Sequence, residues 1–205
     1  MDLLESETLN KALGLFEKRD YVYAEKLLNQ LLKRYPENTD IRHYQHMCLI
    51  RIAQEKKTSL LNLFLKKIIT FPLKIYALYL FFSDEDLKAL SLHFKLIKHF
   101  PLIKSYYWKA YLLSQRINKK GSISFIQEIL TISPADLKAL KIIGEHHIQQ
   151  GNLAKAKSIF QKVKGFSPED SEISRHLKNL SALEALRQEP FKKQNLSSPD
   201  RDKIS

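Results

Sequence analysis

Five prolines divide most of this chain into near-equal lengths. They stand at positions 36, 72, 101, 134 and 168, so the successive spacings are 36, 29, 33 and 34 residues. A proline suits the first turn of a helix, where its missing N–H has no intrahelical partner to lose. Ser133-Pro134-Ala135-Asp136 and Ser167-Pro168-Glu169-Asp170 each place a serine before the proline and an acid after it. Between the prolines, apolar residues recur at spacings of three and four, which predicts an all-helical chain. Only five glycines and seven prolines occur in 205 residues, which leaves little material for hairpins or glycine-rich phosphate loops. Helix starts at a near-constant period predict a repeat array.

The stretch "IIGEHHIQQGNLAKAKSIF", residues 142–160, shows what one unit is made of. Gly144 lies inside an apolar helical run, where glycine costs about 1 kcal/mol relative to alanine. A close helix crossing at Gly144 and Ala156 accounts for that cost. Gly151 is placed to end one helix in the left-handed conformation, and Asn152 to cap the next. Leu140, Ile143, Gly144, His147, Ala156, Phe160 and Pro168 then follow the pattern of the tetratricopeptide repeat, with His147 where tyrosine is usual. The chain resembles that family, whose unit is a helix–turn–helix of about 34 residues.

Weaker copies precede it. Tyr106, Ala110, Leu113, Ser122, Ile126 and Ile129 lead to Pro134. A shortened block with Leu73, Tyr76, Ala77, Leu80, Ala89 and Leu96 leads to Pro101, and Ser83 is expected to cap its second helix. Tyr44, Met47, Cys48, Leu60 and Phe64 lead to Pro72, and Thr8, Ala12, Leu15, Ala24, Leu28 and Leu31 lead to Pro36. The resemblance implies a right-handed superhelical solenoid of about five antiparallel helix pairs. Residues 171–188 form the capping helix that closes the domain 1–188, and 189–205 are expected to be a disordered tail, being rich in Ser, Lys and Asp with little to bury.

Composition narrows function. The formal net charge is +12, which admits anionic partners, although the lysines are scattered among acids as on a solvated helical surface. One cysteine, Cys48, excludes an internal disulfide and suggests a reducing compartment. The N-terminus lacks the basic and apolar regions of a signal peptide. The most apolar run is broken by Lys66, Lys67, Pro72 and Lys74, which argues against a membrane span. The expected setting is cytoplasmic, in a bacterial source.

Signals for catalysis are weak. His43 and His46 share a helix face, but no acid or thiol is placed in sequence to complete a metal site. Glu145-His146-His147 lacks the His-Glu-x-x-His spacing. Cys48 sits at a small-residue place and has no partner base. No phosphate loop or nucleophile elbow occurs. The expectation is a protein without enzymatic activity, cofactor or metal.

The resemblance implies a concave groove lined by the first helix of each pair. Carried over, its places fall on Lys74, Leu78, Phe81 and Phe82, then Lys104, Tyr107, Trp108 and Tyr111, then Lys138 and Lys141; Ile75, Ile142, Arg42 and His46 flank them. An aromatic centre rimmed by lysine suits a peptide or protein partner with apolar anchors and acidic flanks. Leu9 and Leu13 stand where the family's carboxylate clamp has Lys and Asn, so a chaperone tail is not the expected ligand. The reading is a protein-binding scaffold or chaperone-like adaptor. The alternative is a nucleic-acid-binding helical-repeat protein that stacks bases on Tyr107, Trp108 and Tyr111 within a basic surface.

Overall fold

In a computed structural model of the chain, the described residues are 3–55, 68, 70–83, 85–117 and 121–195. They form ten helices and no strand: α1 Leu3–Glu17, α2 Tyr21–Arg34, α3 Thr39–Glu55, α4 Phe71–Phe82, α5 Asp86–His99, α6 Lys104–Arg116, α7 Ile123–Ile132, α8 Leu137–Gln149, α9 Leu153–Phe166 and α10 Ser171–Asn195. Leu60 and Phe64, the second half of the block leading to Pro72, lie outside the described residues. No helix among those described is long and apolar enough to cross a membrane.

The chain divides into two compact units, 1–134 and 135–205, with the boundary at one of the period-marking prolines. In the first unit α1 packs on α2, α4 on α5 and α6 on α7, and α2 packs further on α3, α5 on α6 and α7 on α3. In the second unit α8 and α9 pair, and α10 lies against α9.

Small residues sit at the crossings. Ala12, Ala24, Cys48, Ala77, Ala89, Ala110 and Ala156 are all buried. Around them pack the larger repeat residues Leu28, Leu80, Leu96, Leu113, Ile126, Ile129 and Phe160, which are also buried. A close crossing is seen in the second unit. A Cβ added to Gly144 would lie 2.7 Å from the Phe160 ring, and the ring's surroundings include His176 of α10, stacked at 4.9 Å with planes 7° apart. One aromatic side chain thereby links three successive helices.

The turns differ in part from expectation. Pro36, Pro101, Pro134 and Pro168 lie in the turns ahead of the helices, and only Pro72 is inside a first turn. The caps come two residues later. Asn38 accepts from the Asp40 and Ile41 amides, Asp136 from Ala139, and Asp170 from Glu172 and Ile173. A carboxylate or amide side chain two residues past the proline reaches the exposed N–H groups, whereas Ser133 and Ser167 end the preceding helices. Ser83 likewise ends α4, its hydroxyl donating to Leu80 O at 3.4 Å, and α5 starts from Glu85.

Gly151 has φ 74°, as a left-handed helix end requires. Asn152 occupies the N-cap but its side chain makes no cap bond; its amide is turned toward Gln150. The α1–α2 turn has the same bonding, with Asp20 N donating to Leu15 O as Asn152 N does to His147 O. There Arg19 takes the left-handed position at φ 64°. Of the tail 189–205 that was expected to be disordered, the backbone is helical to Asn195, and 196–205 lie outside the described residues. The segment is polar, but Glu, Gln, Arg and Lys are good helix formers.

The Phe160 contact predicts the response to one methyl group. Gly144→Ala should lower stability by about 1–3 kcal/mol through overpacking, although alanine is the better helix former. A chemical-denaturation midpoint that rises would mean that the ring does not rest on this glycine.

Candidate functional site

Helix α4 has the sequence FPLKIYALYLFF and no charged residue apart from Lys74. One narrow face packs inward, with Ala77 and Leu80 buried. Most of the rest of its surface is apolar and exposed, with Leu73, Lys74 and Phe81 half-buried. Phe71, Ile75, Leu78 and Phe82 are exposed along one stripe, at 60%, 55%, 46% and 77%. Beside them Tyr76 and Tyr79 are exposed and stack on each other at 6.4 Å. The six side chains offer on the order of 500 Å² of mostly apolar surface, at the level that marks binding sites on monomers.

The C-terminal end of α4 is bordered by cations. Arg116 of α6 donates to Phe81 O at 3.0 Å and lies over the Phe81 ring at 4.6 Å. It also pairs with Asp86 at 3.3 Å. Lys109 Nζ is 5.9 Å from the same ring. Lys74 is half-buried over Phe100, at 4.6 Å. On α6, Trp108 and Tyr111 are half-buried and meet edge to face at 6.0 Å, and Lys104 is exposed.

Two expected groove residues are core residues instead. Tyr107 is fully buried, and its hydroxyl donates to Pro101 O at 2.8 Å. The periodicity placed it correctly on α6, but a partner for its hydroxyl in the preceding turn allows the whole ring to be covered. His46 is buried beside it, the rings 5.9 Å apart. Lys138 and Lys141 belong to the second unit. Lys138 is exposed; Lys141 pairs with Asp170 and Glu172, both at 2.8 Å, and pins α8 to the start of α10. That pairing raises the lysine's pKa and lowers those of both acids.

The histidines on α3 have a partner that the sequence did not disclose. Glu128 of α7 is fully buried. One of its oxygens lies 2.9 Å from His43 Nδ1 and the other 3.1 Å from His46 Nδ1, across 85 and 82 residues of chain. A carboxylate accepts both bonds, so both Nδ1 atoms donate. The one available signal was an acid in the apolar run SFIQEILTI, in phase with buried Phe125 and Ile129. The adjoining cavity, bounded in part by Arg42 and Ser114, has a volume of about 10 Å³. That is room for about one water and none for an organic substrate. The cluster is therefore a tie between α3 and α7.

Other chemistry-bearing groups are placed against catalysis or already engaged. Cys48 is buried, and burial pushes its thiol pKa up to about 12, the reverse of nucleophile activation. Among the described residues, ligand atoms of Glu145, Glu172 and His176 lie within 4.8 Å of one another. Glu172 is taken by Lys141 and the His176 ring by Phe160. His147 is half-buried at the helix contact, with its Nδ1 unpaired among the described residues.

No family model matches the chain, and no curated protein does. Among solved structures, the first TPR of Spaghetti, bound to an HSP90 peptide, is similar over 57% of this chain and 93% of its own, at 18% identity and TM-score 0.45. MamA from Desulfovibrio magneticus aligns over 99% of both chains at 14% identity and TM-score 0.40. A thermophilic TPR protein of Thermus thermophilus aligns over 87% of this chain and 99% of its own, at 14% and 0.41. The fold is tetratricopeptide-like. The helix pairs and their small-residue crossings carry that statement; likenesses at these scores add no weight to it.

Two predictions concern the buried polar groups. Glu128→Ala leaves two imidazoles without their acceptor and should cost about 3 kcal/mol; an unchanged denaturation midpoint would dissolve the tie. His93 is buried with Nδ1 2.8 Å from Ala89 O, and burial lowers its pKa below the usual 6.5. Its neutral form is favoured in the fold, so stability falls as pH drops below about 6.5, where the unfolded chain takes up the proton first. His93→Leu should flatten the melting-temperature slope between about pH 5 and 7. A slope identical to the wild type's would assign the acid sensitivity elsewhere.

Proposed function

We propose that this protein is a non-catalytic interaction module that binds a peptide or protein partner through the apolar surface of α4. The observation that carries the reading is a helix apolar on nearly every side with only Ala77 and Leu80 buried. A helix of that composition ordinarily lies inside a protein. Each large apolar side chain covered by a partner contributes about 1.5–3 kcal/mol, so a few anchors suffice for micromolar binding after association costs. Leu78 and Phe82 are the proposed central anchors. Phe81, Trp108 and Tyr111 supply neighbouring aromatic surface, and Lys74 and Lys104 are proposed flanking cations; Lys138 and Lys141 belong to the second unit and are left out of this site.

The partner chemistry that fits is a segment with apolar anchors, in a scaffold or adaptor role. The nucleic-acid alternative loses support, because Tyr107, one of its three stacking residues, is buried.

The test is selection of random peptides on the wild-type protein, followed by affinity measurement on Leu78→Glu/Phe82→Glu. Both positions are exposed, so the variant should fold. Selected peptides should carry apolar anchors and lose at least about tenfold in affinity. Peptides that bind the variant equally well, or a ligand set limited to nucleic acid, would overturn the reading.

A further inference from the structure

A second concave feature of the first unit lies apart from α4, between α2, α3 and α5. It is a cleft of about 260 Å³. Lys33 from α2, Arg42 from α3, and Lys95 and Lys98 from α5 are among its lining residues, and among the described residues no carboxylate is. These cations come from three helices and 65 residues of chain, so they converge through the fold and not through a local run of lysine.

The acids nearby are set back from this wall. Glu25 accepts from Gln45 Nε2 at 3.4 Å, and Gln45, not Glu25, faces the cleft. Buried Glu128 acts on Arg42, as does Glu37. Lys33 and Lys98 belong to the last turns of α2 and α5, whose dipoles bring about half a negative charge each. Setting Arg42 against Glu128, a second cation against Glu37, and the two helix ends against one lysine leaves about one positive charge in the wall. Asn29 adds a polar group already turned to this surface, accepting from Gln45 at 3.1 Å and Lys98 at 3.4 Å.

The chemistry of the cations selects among anions. A guanidinium fork suits carboxylate and phosphate alike, whereas lysines without one still bind phosphate as point charges. Arg42, the one guanidinium here, is committed: it donates to Pro36 O and lies over the Phe94 ring at 4.0 Å. The remaining cations are lysines, compact point charges on flexible stems that suit the dispersed charge of phosphate. A single phosphate would leave most of the cleft unfilled.

We infer that this cleft is a binding site for a small oligophosphate, held by Lys33, Lys95 and Lys98. The ligand chemistry is two or three linked phosphates, supplied either as an inorganic chain or as the phosphate moiety of a nucleotide. Because Arg42 already covers the face of Phe94, the cleft gives a base no free ring to stack on, and phosphate contacts dominate.

Calorimetric titration of the full chain with tripolyphosphate, ATP and an octaglutamate peptide, at about 50 mM salt, tests this. Tripolyphosphate should bind, octaglutamate should bind at least tenfold more weakly, and the ratio of ATP to tripolyphosphate affinity assigns the source. Lys95→Glu/Lys98→Glu should reduce tripolyphosphate affinity by at least about tenfold. Both lysines are exposed, and Lys95→Gln/Lys98→Gln repeats the test without charge reversal. Lys155→Glu/Lys162→Glu removes the same charge from α9 and should leave binding intact. Absence of tripolyphosphate binding, equal binding of octaglutamate, or equal losses in the α5 and α9 variants would overturn the site.

Discussion

The fold depends on how closely two helix backbones can approach. In the α8–α9 pair the crossing is made by Gly144, and Phe160 of the partner helix fills the space; buried alanines stand at the corresponding places of the other described pairs. Phe160 on Gly144 is the limiting case, since no Cβ fits between them. The rest follows from that approach. The partner helix is held antiparallel, its apolar stripe is covered, and its opposite surface is left to face the next helix or solvent. Exposed faces in such a fold are a product of the pairing, and α4 shows one that was filled with apolar residues in place of charged ones.

Much of this was legible in the sequence, because the signals were local and repeated. Small residues at recurring places marked every crossing described, from Ala12 to Ala156. Gly151 announced a left-handed helix end. Arg19 makes the same turn without glycine, and no local rule would select it, since a left-handed non-glycine is tolerated only when the surrounding pair holds it. The prolines gave the correct period, but only Pro72 has the expected first-turn position and the other four differ. They occupy the turns, and the caps belong to Asp136 and Asp170, two residues on.

The candidate site was less legible, because exposure is decided by what else the chain folds onto a surface. Tyr107, Trp108 and Tyr111 share one helix, yet of the three Tyr107 alone is fully buried, with its hydroxyl donating to the Pro101 carbonyl in the preceding turn. Glu128 posed the opposite problem. Its meaning lies in two histidines more than 80 residues away, beyond any helical period. The basic cleft shows the same limit: its lysines read singly as helix-end charges, and only the packing of α2, α3 and α5 makes them a group.

The apolar surface of α4 also bears on how copies of this chain behave toward each other. A patch that would join two molecules is carried on a protein with a net charge of +12. Like charge keeps copies apart while ionic strength is low, and screening shortens the reach of that repulsion without weakening apolar contact. Any contact between copies through α4 would therefore meet more charge repulsion at low salt than at high salt.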